Sequence, residues 1–101
     1  MEMEQQLLSL VFDGASKDDL IDLLMGLEQV SGFTLSEVSG FSHEHAQYDI
    51  AEQVAGYRQL YRIDVLHNPE QLNVLLQALK GLGTANGIRY WVTPVLEAGK
   101  L

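Results

Sequence analysis

Arg58-Gln59-Leu60-Tyr61-Arg62-Ile63-Asp64-Val65-Leu66, followed by His67-Asn68-Pro69-Glu70-Gln71-Leu72 and the run to Leu82, decides the fold. The first part alternates. Tyr61, Ile63 and Val65 share one face of a strand, and Leu60, Arg62, Asp64 and Leu66 share the other. The second part opens a helix over Pro69–Leu82. Asn68 is placed to cap it, Pro69 takes the first helical position, and Gln71 closes a capping box. Leu72, Leu75, Leu76, Leu79 and Leu82 then recur at helical spacing. Gly81 and Gly83 fall near the helix end, where glycine supplies a left-handed cap. A last strand, Ile88–Val95, follows, and Pro94 marks its end as an edge or a bulge.

The same order precedes this unit. Leu7–Phe12 is short and nearly continuously apolar, as a central strand is. Asp13-Gly14-Ala15 breaks it. Ser16 is the expected N-cap of a helix over Lys17–Glu28, with Asp18 and Asp19 in its first turn, where the helix dipole favours negative charge. Leu20, Leu23, Leu24 and Leu27 give that helix one apolar face. Phe33–Val38 interleaves polar residues and reads as an outer strand. Two β-α-β halves of this length predict an α+β, ferredoxin-like βαββαβ sandwich. Strands one and three lie central in a four-stranded antiparallel sheet, and two helices cover one face. The long segment Ser39–Gly56 is left as a loop.

The 101 residues fit a single domain spanning 1–101. The formal charge is −8, from six basic and fourteen acidic side chains, and a field of that sign repels phosphate backbones. Cysteine is absent, which excludes disulfides, thiolate metal sites and cysteine nucleophiles. No apolar run approaches the ~20 residues of a membrane span. The acidic, polar start Met1-Glu2-Met3-Glu4-Gln5-Gln6 is unlike a secretory signal. A soluble, cytoplasmic protein is the expectation.

The predicted sheet has a surplus of apolar surface. Leu60 and Leu66 lie opposite Tyr61, Ile63 and Val65, and Trp91 and Val95 lie opposite Tyr90 and Val92. Two helices cover only one of these faces, so the second predicts a homo-oligomer packed sheet against sheet.

Three functions known on this fold fail on residues. Copper chaperones need a Cys-x-x-Cys loop. RNA-recognition modules need a basic sheet with stacked aromatics. Acylphosphatases need an arginine where this chain reads Asp13-Gly14-Ala15-Ser16-Lys17. The clearest chemistry is His43-Glu44-His45. In an extended segment the two imidazoles project to one side, and Glu44 or Glu52 can join them around Cu²⁺ or Zn²⁺. Two ligands rarely make a tight site, and two solvated histidines are the alternative; symmetry copies would have to supply the rest. Arg58, Arg62 and Arg89 are candidate anion ligands or surface partners of Asp64 and the glutamates. Gly81-x-Gly83 ends a helix instead of starting one, so it lacks the polarity of a phosphate loop. Ser39 and Ser42 share a loop with the histidines, but spacing fixes no third catalytic group, and no catalytic residue is assigned. His67 is expected at a strand end beside Asn68.

Two stretches carry a family resemblance. They are Val38-Ser39-Gly40-Phe41-Ser42-His43-Glu44-His45 with Ala51-Glu52-Gln53-Val54-Ala55-Gly56, and Ile88-Arg89-Tyr90-Trp91-Val92-Thr93-Pro94-Val95 with the residues to Leu101. Together they resemble a bacterial PII-like family of unknown function, often found beside heavy-metal efflux systems. More distantly the chain is similar to PII signalling proteins and divalent-cation tolerance proteins. The resemblance implies a trimer with sheets facing the threefold axis, and a non-enzymatic regulatory role. It implies that Ser39–Gly56 is a partner-contacting signalling loop, with an efflux component as one such partner. It does not bring nucleotide binding with it, because Lys80-Gly81-Leu82-Gly83-Thr84 departs from the glycine- and lysine-rich nucleotide loop. Nor does it bring a modifiable tyrosine, because no motif surrounds Tyr48 or Tyr57. A nucleotide- or anion-sensing module working at intersubunit clefts is the alternative.

Overall fold

The computed structural model describes residues 4–41, 58–83 and 87–101. Strand β1 (Gln5–Phe12) leads through a 3-10 turn (Gly14–Ser16) into helix α1 (Lys17–Met25). Strands β2 (Phe33–Gly40) and β3 (Arg58–His67) follow. A second 3-10 turn (Pro69–Gln71) opens helix α2 (Leu72–Lys80), and β4 (Arg89–Val95) completes the sheet. The sheet order is β2-β3-β1-β4, and every neighbouring pair is antiparallel. This is the predicted ferredoxin-like sandwich, with strands one and three central. β2 and β4 are the edges, which is where Pro94 is tolerated.

Period-two alternation sorts the side chains. Leu10 pairs with Ile63, Leu8 with Val65 and Phe12 with Tyr61, and these residues face the helices. Leu20 and Leu24 of α1 and Leu75 and Leu79 of α2 close the core over them. Each fully buried leucine or isoleucine contributes roughly 1.5–3 kcal/mol. Phe12 and Tyr61 stack with ring centroids 6.2 Å apart, and Lys17 Nζ sits 5.0 Å from the Tyr61 centroid.

Local chemistry accounts for the second helix start and corrects the first. Gln71 Oε1 accepts from the Asn68 backbone N–H at 2.9 Å, the reciprocal bond of a capping box. Ser16 is not the cap expected of it. Its backbone is already helical, and its hydroxyl donates to Asp13 Oδ1 at 3.4 Å. The 3-10 turn begins after Asp13, which takes the extended backbone that a cap position needs. Helix α1 also ends earlier than Glu28. Gly26 terminates it, and its N–H reaches the carbonyls of Asp22 and Leu23 at 3.1 Å. Leu27 still packs on the core, from the following turn. At the end of α2, Gly81 stays right-handed and Gly83 takes the left-handed conformation (φ 60). No helix among the described residues is long and apolar enough to cross a membrane.

Candidate functional site

The helices leave one sheet face uncovered, and its chemistry is mixed. The register aligns Leu7, Ser9 and Val11 of β1 with Leu66, Asp64 and Arg62 of β3 on that face. It aligns the same three β1 residues with Thr93, Trp91 and Arg89 of β4. From β2, Thr34, Ser36 and Val38 stand beside Asp64, Arg62 and Leu60. Apolar side chains therefore flank a polar centre, Leu7 and Leu66 towards one end and Leu60 and Val38 towards the other, while Thr34, Ser36 and Arg89 extend the polar rows to the sheet edges.

That centre is ordered. Ser9 Oγ donates to Asp64 Oδ1 at 2.6 Å. Arg62 Nε donates to both Asp64 oxygens, at 3.1 and 3.2 Å, and its Nη2 donates to Ser9 Oγ at 3.3 Å. The Arg62 guanidinium lies 5.3 Å from the Trp91 ring centroid, within cation–π range. Ser9 is 0% exposed although it belongs to the uncovered face. Charge-assisted bonds of this kind are stronger than neutral ones.

The candidate anion ligands divide on this face. Arg62 is occupied by Asp64 and Ser9. Arg58 pairs with Asp13 at 3.9 Å. Arg89 is exposed and flanks Val11 opposite Arg62, with no ion pair among the described residues. The surface-partner expectation thus holds for Arg62, whose partner is the predicted Asp64.

Two further features lie on the helix side. His67 ends β3 beside Asn68 as expected, but it is buried at 2% exposure. The Asn68 carbonyl accepts from its Nδ1 at 2.8 Å. His67 Nε2 and the Oε1 of Gln6, the residue across from His67 in the β1–β3 register, are both buried without a hydrogen-bond partner among the described residues. An open groove of about 490 Å³ runs between α2 and the edge strand β4. Leu10, Leu76, Ile88 and Tyr90 line it, with Asn73, Gln77 and Lys80 from one stripe of α2.

His43, Glu44, His45 and Glu52 lie outside the described residues. Among the described residues, no group of three or more His, Asp or Glu side chains is placed to hold a metal. The Ser9–Arg62–Asp64–Trp91 cluster was not singled out from sequence. Its signal was present, since Ser9 interrupts an apolar run and Arg62 and Asp64 share one strand parity. The cluster joins residues 55 positions apart, so only the register reveals it.

A four-stranded antiparallel sheet with two helices on one face defines the ferredoxin-type class of fold. The chain belongs to DUF3240, a protein family of unknown function, which it matches over residues 3–101. The crystal structure of a DUF3240 family protein from Shewanella baltica is 36% identical, with TM-score 0.81, covering 100% of this chain and 99% of that one. CPII, a nitrogen regulatory PII-like protein from Thiomonas intermedia solved with ADP, AMP and bicarbonate, is 20% identical with TM-score 0.71, over 97% of each chain. A Bacillus cereus protein related to NIF3 is 13% identical with TM-score 0.69; 97% of this chain aligns to 27% of that larger one. At those lower identities the likeness concerns the fold. No curated protein matches this chain.

Proposed function

We propose that the chain is a subunit of a non-enzymatic, cytoplasmic, PII-like regulatory module that works as a homotrimer and senses a small ligand. The observation that supports this best is the sheet face that the helices leave uncovered, with its apolar side chains. A monomer gains nothing by holding Leu7, Val11, Leu60, Leu66 and Trp91 there, whereas an assembly buries them. The input is a metal ion. His43 and His45, with Glu44 and Glu52 as further ligands, take Cu²⁺ or Zn²⁺ in the segment between β2 and β3, and a heavy-metal efflux component is the partner that reads the change. Support comes from the His-x-His spacing, the nitrogen and oxygen donors these ions accept, and the family resemblance.

Calorimetric titration of metal-free protein with Cu²⁺ and Zn²⁺ tests the input. Binding that disappears in His43→Ala/His45→Ala is the expected result. Unchanged binding in that variant, or none in either protein, removes the metal site.

The second reading is a nucleotide or small-anion input at a cleft between subunits. Two observations favour it: the exposed Arg89 beside Val11, with no ion pair among the described residues, and the ADP, AMP and bicarbonate bound by CPII on a similar fold. The same calorimeter distinguishes the two. Heat from ADP, AMP or bicarbonate that is lost in Arg89→Ala supports this reading, and its absence in the unmodified protein removes it.

A further inference from the structure

We propose that the outer edge of β4 and the groove beside it form a docking seat for an extended segment, and that residues 96–101 of a second copy fill it. The proposal rests on the homo-oligomer reading above and adds the segment and the seat that join neighbouring copies.

The two edges of the sheet differ. β2 carries Thr34, Ser36 and Glu37 along its middle, and a charge there discourages a further strand from pairing. β4 runs Tyr90-Trp91-Val92 through its middle without a charge. Its inner side pairs with β1, and no strand among the described residues pairs with its outer side. An apolar edge left open in this way is a template for strand addition. The groove adjoins that edge. Tyr90 stands opposite Leu10 in the register, on the helix side, yet α2 leaves it 53% exposed. Leu76, Ile88 and Tyr90 make the groove apolar, and Lys80 is the one charged residue lining it among the described residues. A strand laid along β4 bonds through its backbone and turns every second side chain over the groove.

The chain itself carries such a segment. Beyond β4, Leu96-Glu97-Ala98-Gly99-Lys100-Leu101 belongs to no helix or strand, and every residue of it is exposed. Leu96 and Leu101 are wholly so. No hydrogen bond or ion pair ties the segment to the described residues. Fully extended it spans about 20 Å, close to the length of β4, which is about 23 Å at the usual strand rise. Glu97, Gly99 and Leu101 then share one face. That face offers a carboxylate to Lys80 and a leucine to the apolar lining. Seat and segment are different surfaces, so identical copies complement each other head to tail, the kind of contact that builds rings.

Hydrogen–deuterium exchange of the full chain, read by mass spectrometry at a concentration where sedimentation equilibrium shows the assembly, tests this. Lys80 is exposed, so Lys80→Glu leaves the core untouched. The amides of residues 97–101 are expected to exchange slowly in the unmodified assembly and about tenfold faster in Lys80→Glu. Lys80→Glu/Glu97→Lys is expected to make them slow again. Fast exchange at 97–101 in an assembled protein overturns the docking, leaves the groove to another occupant and leaves the assembly reading standing. Slow exchange that Lys80→Glu does not alter overturns the groove as the seat, and a double variant that stays fast overturns the pairing of Glu97 with Lys80. An unmodified protein that is monomeric at every concentration overturns the assembly reading and the docking together.

Discussion

The two faces of this sheet are made from alternate residues of the same strands, yet they follow different rules. On the helix side, Leu8, Leu10, Ile63 and Val65 are wholly buried and purely apolar. On the open side, Leu7, Val11, Leu60 and Leu66 are only half-buried and flank a hydrogen-bonded polar centre. The helix side needs only close packing, because α1 and α2 are tethered and arrive in one arrangement. Among the described residues the open side has no tethered cover, and its polar centre forms its hydrogen bonds within the chain.

The sharpest way to break this contrast is to damage each face in turn. Leu10→Ala removes a wholly buried side chain at the centre of the helix side. It is expected to lower folding stability by about 3 kcal/mol, read from urea denaturation. Leu60→Glu places a charge at an apolar position of the open side. It is expected to leave a folded chain that no longer assembles, read as a drop to monomer mass in size exclusion with light scattering. Asp64→Ala strands Arg62 and Ser9, and a loss of about 1–2 kcal/mol is expected in the same denaturation experiment. Gly40→Ala is a finer probe, because its new Cβ would lie 2.5 Å from Leu60 Cδ1. The flexible leucine can yield, so a loss of about 1 kcal/mol is expected. Gln71→Ala touches neither face. It removes the 2.9 Å bond to the Asn68 N–H and should cost about 0.5–1 kcal/mol with the assembly unchanged.

Much of the fold was legible because its signals are local. The alternation of β3 placed Leu60 and Leu66 opposite Tyr61, Ile63 and Val65, and the register agrees. Asn68-Pro69-Glu70-Gln71 announced its turn because cap, ring and amide act within four residues. The apolar spacing through Leu27 overran α1 because Leu27 does pack on the core, from a turn and not from the helix. Gly26 was the stop signal, and helical spacing outweighed it. Ser16 was misplaced because Asp13, three residues earlier, already holds the extended backbone of a cap. Of the open-face cluster only the Arg62–Asp64 pair was legible, from strand parity. Ser9 and Asp64 look like ordinary strand polars until antiparallel pairing sets them side by side. The two-faced apolar sheet was legible, and with it the expectation of a partner copy. His43, Glu44, His45 and Glu52 rest on spacing and resemblance, because they lie outside the described residues.

The central claim is that the open sheet face is covered by further copies of the same chain. Sedimentation equilibrium of the unmodified protein across a dilution series, beside Leu60→Glu, tests it most directly. A trimer mass for the unmodified protein and a monomer mass for the folded variant is the predicted result. A monomer at every concentration of the unmodified protein, or an assembly that Leu60→Glu leaves intact, would contradict it.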